Sequence, residues 1–319
     1  MKALGARRSG WGRGLGRRVG KGPRVCFKCA DLAQVLDETA GELTPYRELD
    51  VALTRLARAL KDVLGEELVG VYTLGSLAIG GFDLTSDVDL VAVTAGELTG
   101  DQPAWVESSH RELISGESRW VKHLEYSLFP LSALHELSSP YDSRGERNRS
   151  ESRLLWKFDN GQPDLARTDH DNTLVTRWTL RYKARVICGP EPETFAPAIS
   201  AEALRREIQQ SMLGWEQRAV TDPSEFDNRF HQVFMVLNNC RALQDLHEGR
   251  ITSKREGVAW AKRHLEPRWH ALIDYSWQER QDPGIHVSQP ADPDAFAETL
   301  AFIGYTTRLA EAADVVRTT

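Results

Sequence analysis

LGSLAIGGFDLTSDVDLVAV, residues 74–93, places two glycine-flanked turns and then two aspartates, one residue apart, at the mouth of an apolar strand. A buried carboxylate is costly unless a positive charge sits against it, and two on one strand face repel each other as well. In a strand, Asp87 and Asp89 alternate with Val88 and Leu90, so both acids share one face while the apolar pair enters the core. Such a pair is what a hard divalent cation such as magnesium seeks, usually sharing it with a substrate's phosphates. Upstream, Gly75 and Ser76 end a strand where a short helix starts. Backbone N–H groups at such a turn form an anion cradle, and a glycine lets a phosphate approach the main chain. A phosphate seat and a metal seat joined by one tight excursion describe a site for a nucleoside triphosphate.

The flanking sequence supplies the frame. ELVGVYTLGS, residues 67–76, reads as a strand; residues 77–81 read as a helical turn closed by Gly80 and Gly81; SDVDLVAVTAG is the next strand. A third strand is expected over 120–131, WVKHLEYSLFPL, with Val121, His123, Glu125 and Ser127 on one face and Lys122, Leu124, Tyr126 and Leu128 on the other. An acid at Glu125, on a neighbouring strand, supplies a general base beside the metal site. Strand pattern alone is served equally well by an exposed glutamate paired with Lys122 or His123. Helical spacing runs through Leu32, Val35, Leu36 and Leu43, and again from Val51 to Leu64, with Gly65 as the stop. A helix is expected over 102–118 and a mobile loop over 138–152.

Beyond residue 190 the pattern becomes almost purely helical, over 200–220, 225–248, 253–265, 267–280 and 292–315. The expected organisation is a basic tail over 1–30, an α/β sheet unit over 31–190 and a helical bundle over 191–319. The cleft between the two folded parts is the natural ligand site.

Composition is that of an average soluble protein, 41% hydrophobic and 27% charged over 319 residues, with no apolar run of the roughly 18 residues a membrane span requires. A cytoplasmic protein is expected. Cys26 and Cys29 have the spacing of half a zinc site, but no second pair follows at finger-like distance, and four cysteines are too few and scattered for a disulfide framework. Charge is uneven. Residues 1–28 carry nine Lys or Arg and no acid, which leaves 31 basic against 46 acidic side chains, a formal balance of −15. The Gly/Arg-rich tail is expected to be disordered; nonspecific nucleic-acid binding would suit it, but a translation start placed too far upstream gives the same composition and is the favoured reading.

The Gly-Ser turn followed by Asp-x-Asp resembles the motif of the nucleotidyltransferase superfamily. VICGPEPETFAPAI (186–199) and LNNCRALQDLHEGRITSKREGVAWAKRHLEPRWHALI (237–273) look like the C-terminal half of streptomycin/spectinomycin adenylyltransferases, the aminoglycoside 3''(9) class. The resemblance spans most of residues 33–315. It implies an α+β fold: a small nucleotidyltransferase-type mixed sheet with flanking helices, followed by an all-α helical bundle. It further implies that Asp87 and Asp89, with Glu125 beside them, hold magnesium, and that Glu125 is the catalytic base. Gly75, Ser76 and Ser86 would border the nucleotide, and Arg241 and Lys254 would reach the ATP phosphates from the helical half.

The chain also departs from the family. Its streptomycin-binding members use an aromatic side chain and an acid near the start of the long helix, and that acidic position falls here on His231, with Glu225, Asp227 and Trp156 nearby as substitutes. RTDHDNTLVTRW is read with Asp169 or Asp171 capping a helix, or with His170, Asp171 and Arg177 lining an acceptor pocket; Trp178, Trp215, Trp260 and Trp269 are read as packing residues. The implied activity is transfer of AMP from ATP to a hydroxyl of a small cationic acceptor such as streptomycin or spectinomycin, releasing pyrophosphate. An acidic body suits a cationic acceptor and makes nucleic acid an unlikely partner. The rival readings are nucleotidylation of a tRNA or protein, and a sensor that binds nucleotide without turnover.

Overall fold

The computed structural model describes residues 43–282, 284–285 and 287–313; the basic tail, the Cys26/Cys29 pair and Leu32, Val35 and Leu36 lie outside the described residues. The described chain opens with α1 (Arg47–Leu64), whose buried residues Leu49, Ala52, Leu53, Leu56, Ala57, Leu60 and Leu64 recur at helical spacing and form one stripe. Gly65 stops it with a positive φ. The stripe covers one face of a six-stranded mixed sheet.

That sheet comprises β1 (Leu68–Thr73), β2 (Val88–Thr94), β3 (Leu124–Pro130), β4 (Leu155–Phe158), β5 (Ala166–Thr168) and β6 (Val186–Cys188), in the order β5-β4-β3-β2-β1-β6. Only β2 and β3 run parallel. Parallel neighbours need a crossover, here the helix α3 (Gln102–Ile114). All six residues of β1 are buried, and β2 and β3 are buried along most of their length, because both faces are covered. Val88, Leu90 and Ala92 face the α1 side; Val91 and Val93 pack with Tyr72 and Phe129 on the other face. Alternation along β2 therefore assigns Asp89 to the face of Val91 and Val93.

The second half holds α6 to α10. Before it come the short α2 (Gly75–Ile79) and α4 (Leu131–Leu134), and α5 (Leu174–Tyr182) at the junction. α6 (Ala201–Thr221), α7 (Arg229–Glu248), α8 (Lys254–His264), α9 (His270–Glu279) and α10 (Pro293–Ala312) pack around a core that includes Leu204, Met212, Val236, Cys240, Ile273 and Phe302. α7 is central and buried nearly all round, so it carries little amphipathic pattern. Its buried Asn239 is satisfied by Met235 O and the Thr306 hydroxyl. Trp178, Trp260 and Trp269 are buried and Trp215 is packed against the core, as their spacing suggests.

Several boundaries differ from the sequence pattern. The strand expected from residue 120 begins at Leu124, because Arg119–His123 form a 3₁₀ turn that buries Trp120 and Val121, with Trp120 against Tyr46 and Phe82. The helix expected to 118 ends at Ile114, just before Ser115 and Gly116. The helical turn expected at 77–81 starts two residues earlier, at Gly75. Segment 138–152 is a loop, but a packed one: Arg147 pairs with Asp169, Ser138 is bonded by the buried Arg153 just beyond the segment, and a Cβ on Gly145 would lie 2.4 Å from the Gly214 nitrogen. Among the described residues no helix is long and apolar enough to cross a membrane.

Candidate active site

The Gly-Ser turn and the Asp-x-Asp strand meet where β1 hands over to α2. The N–H of Leu74 donates to Asp89 O at 2.8 Å, fixing the turn against β2. Gly75 has φ +46°, and a Cβ there would sit 1.9 Å from Asp89 Oδ2, so both backbone conformation and space require glycine. α2 starts with no side-chain cap, leaving its first N–H groups to a ligand.

Asp87, just ahead of β2, and Asp89 line a cavity of about 190 Å³ together with Gly75, Ser76 and Ser86. Burial pushes the Asp89 carboxyl up to about 8, and the charges of Glu125, Asp87 and Asp171 add to it. Burial also raises Asp87, against the pull of Lys254 and His123; its Oδ1 accepts from Asn160 Nδ2 at 2.6 Å. Two half-buried acids held against each other, with no salt bridge of their own among the described residues, are a donor set that fits a hard divalent cation.

The opposite wall is cationic. Arg241 comes from α7 and Lys254 from the first turn of α8. Lys254 is placed by a capping box, in which Ser253 and Glu256 exchange hydrogen bonds across the start of α8. The two helices approach closely because residue 257 is glycine: a Cβ there would lie 2.6 Å from Arg241 Cα. Neither cation makes a salt bridge among the described residues; the Lys254 ammonium lies 5.0 Å over the Phe234 ring. Burial lowers Lys254 to about 8, and Arg241 and Arg280 push the same way. Unpaired cations crowded in one buried cavity mark a seat for a polyanion.

Arg280, which follows α9, carries a signal the sequence pattern missed. It crosses the cleft to Asp83 (2.7 Å) and Ser86 Oγ (3.2 Å), joining the helical half to the turn before β2. Burial opposes ionisation of Asp83, but hydrogen bonds from Arg280 and Thr85 outweigh it and hold the acid at about 2. Ser86 borders the cavity as expected, with its hydroxyl engaged by Asp83 and Arg280.

Glu125 sits beside Asp89 in the parallel β2–β3 register. It is absent from the cavity lining. Its partner is neither Lys122 nor His123 but Lys157 of β4, at 2.5 Å. Lys157 also reaches Asp171 Oδ2 at 3.2 Å and His170 Nδ1 at 3.0 Å. Ser127 donates to Asp171 at 2.6 Å. Burial raises the Glu125 carboxyl, against the pull of Lys157. Burial also opposes ionisation of Asp171, yet hydrogen bonds from His170 and Ser127 and the Lys157 charge hold it well below the usual range. Among the described residues, the group with ligand atoms within 4.8 Å of one another is Glu125, His170 and Asp171, which includes Glu125 but not Asp87 or Asp89.

The helix-capping role expected for Asp169 or Asp171 is overturned. Thr173 caps α5, accepting from Thr176 N, while Asp169 pairs with Arg147. Arg177 is fully buried and bonds to Ala133 O, Leu134 O, Asn172 and Thr173 O, so it ties α5 to the sheet unit rather than facing a ligand. Trp156 stacks under Arg167 on β4, and His231 is bonded to the α7 cap Asn228.

A mixed sheet bearing Gly-Ser and Asp-x-Asp, facing a helical half across one cavity, is the α+β nucleotidyltransferase-like fold. The comparisons with known proteins narrow that class. Residues 194–302 match the family model described as aminoglycoside adenylyltransferase, C-terminal domain. Spectinomycin 9-adenylyltransferases of Staphylococcus aureus, from strains Mu50 / ATCC 700699 and N315, are 26% identical over 226 residues, which is 68% of this chain and 79% of theirs. The crystal structure of a spectinomycin adenyltransferase from Enterococcus faecialis, solved with ATP and spectinomycin, superposes with a TM-score of 0.58 at 15% identity, covering 81% of this chain and 98% of that one. Its helical half is similar to the C-terminal domain of aminoglycoside adenylyltransferases, and the chain shares the fold of the solved spectinomycin enzyme.

Proposed function

We propose that the protein is a magnesium-dependent adenylyltransferase that moves AMP from ATP to a hydroxyl of a small cationic acceptor of the aminoglycoside or aminocyclitol class. One observation carries this reading: a single cavity has the uncapped Gly75-Ser76 turn and two unbridged aspartates on one wall, and the unbridged Arg241 and Lys254 on the other. The similarity to spectinomycin adenylyltransferases supports it.

In this reading the N–H groups at Gly75 and Ser76 orient the polyphosphate, with Ser86 at its edge. Arg241 and Lys254 neutralise the departing pyrophosphate from the helical half. Asp87 and Asp89 would hold magnesium, which supplies electrophilic charge at the α-phosphate when bound. Glu125 receives the proton of the acceptor hydroxyl as that oxygen attacks the α-phosphorus. The division into a catalytic unit up to about residue 190 and a helical unit beyond it is part of the proposal, as is a cytoplasmic location.

A pure nucleotide sensor has no use for a carboxylate placed like Glu125, and the acidic body disfavours a tRNA acceptor. The experiment is pyrophosphate release with ATP, magnesium and a panel of aminoglycosides and aminocyclitols, with each acceptor's mass followed in parallel. Adenylylation of a panel member is expected, and Lys254→Met raises the KM for ATP about 10- to 100-fold while the acceptor KM stays within about twofold. Release that requires tRNA or protein, or binding of ATP without any release, overturns the reading.

A further inference from the structure

Ligand atoms of Glu125, His170 and Asp171 lie within 4.8 Å of one another, the geometry of a cation seat. In this chain the seat already has an occupant. The Lys157 ammonium stands 2.5 Å from Glu125 Oε1, 3.2 Å from Asp171 Oδ2 and 3.0 Å from His170 Nδ1. Its side chain is only 5% exposed, and the β3–β4 register pairs Lys157 with Ser127, two residues along the strand from Glu125. Burial pulls the Lys157 amine down, but the Asp171 and Glu125 charges outweigh it and keep the ammonium charged. Sheet pairing, rather than a flexible surface chain, sets its position.

This seat adjoins the carboxylate assigned above as the base, so the inference rests on that functional reading. A hydroxyl delivered to Glu125 brings its own substituents to the same flank. An acceptor with an ammonium on the adjacent carbon would find the Glu125 and Asp171 carboxylates already paired with Lys157, with no vacant seat for its charge. Hydroxyl or ether oxygens need no such seat, and the three N–H groups of the ammonium stay directed at Glu125, Asp171 and His170. Cationic groups farther from the reacting carbon still meet an acidic rim, for Asp159 lies near enough to act on both Asp87 and Glu125.

We propose that Lys157 is a specificity-determining residue: it fills the cation seat beside Glu125 from within the chain, and so selects acceptors whose reacting hydroxyl is flanked by oxygen rather than by an ammonium group.

Two measurements test this, one of them independent of turnover. Lys157→Ala empties the seat, and ethylammonium is expected to raise the melting temperature of this variant by several degrees while leaving the wild type within one degree. For selectivity, kcat/KM is compared for acceptors with and without an amino group next to the reacting hydroxyl, in wild type, Lys157→Met and Lys157→Arg. Lys157→Met keeps the volume of the stem and guards against loss of folding. It is expected to shift the ratio at least tenfold toward amino-flanked acceptors, and Lys157→Arg keeps the wild-type ratio. Equal loss on every acceptor, or an unchanged ratio in Lys157→Met, overturns the inference and leaves the adenylyltransferase reading intact. A seat that binds ethylammonium in a protein that adenylylates no acceptor overturns the functional reading instead, and with it the selectivity claim.

Discussion

Asp89→Asn abolishes AMP transfer, by at least about 10³-fold, and at the same time raises the melting temperature of the metal-free protein. Both effects have one cause. Burial, with the charges of Glu125, Asp87 and Asp171 added to it, pushes the Asp89 carboxyl up to about 8 against the pull of Lys157. A carboxyl whose value is higher in the folded than in the unfolded state lets the folded protein bind more protons between those values. The Asp89 contribution to stability is therefore greatest near pH 4 and declines as the pH rises toward 8. Asn keeps the shape, adds no charge and removes this slope. The stabilisation by Asp89→Asn is expected to be several degrees at pH 8 and close to zero at pH 4, read by thermal melts without divalent ions. In wild type, magnesium raises the melting temperature more at pH 8 than at pH 6, because the ionised pair is what it binds. Equal melting of both proteins at all pH values contradicts this account of Asp89.

Glu125→Gln is the second large effect, lowering kcat about 10²- to 10⁴-fold with little change in the KM for ATP. The split follows from position. Glu125 neighbours Asp89 in the sheet, but its side chain is not among those lining the cavity of Asp87 and Asp89 and lies against Lys157. Gln fills the same volume and still accepts a hydrogen bond from the ammonium, yet it takes no proton from an attacking hydroxyl. Removing one partner of a buried pair ordinarily costs about 3–5 kcal/mol. Here Asp171 remains on Lys157, so a smaller stability loss is expected. Steady-state kinetics with both substrates varied makes the comparison, and a rise in the ATP KM that accounts for the whole loss would place Glu125 in nucleotide binding instead.

What could be read in the amino-acid sequence, and what could not, divides along a physical line. Asp87, Asp89, Gly75 and Ser76 lie within one strand–turn–strand passage, where period-two alternation and glycine punctuation fix geometry locally. The α1 stripe and the helices after residue 200 were legible for the same reason, whereas the start of β3 and the end of α3 are displaced by a few residues, at Trp120 and Gly116. Glu125 needed one non-local fact, that β3 lies beside β2 in parallel register, and alternation alone left it balanced against a surface salt bridge. Lys157 and Arg280 were not legible, and Asp171 reads as a helix cap or, in the alternative, as part of an acceptor pocket. Lys157 sits in LLWKFDNG as one more strand lysine, and only the β3–β4 pairing turns it onto Glu125. Asp171 lies where a helix cap belongs, but the α5 start falls two residues later, on Thr173. Arg280 acts through a contact nearly two hundred residues away in the chain.

The central claim is that Asp87 and Asp89 share a divalent ion with a triphosphate seated on the Gly75-Ser76 turn. The most direct test is a crystal structure with manganese and a non-hydrolysable ATP analogue, with the ion located by its anomalous scattering. The account predicts a manganese peak bonded to carboxylate oxygens of both aspartates and to the α-phosphate, with Arg241 and Lys254 on the outer phosphates. A manganese ion bound away from Asp87 and Asp89, or a nucleotide outside this cavity, would contradict it.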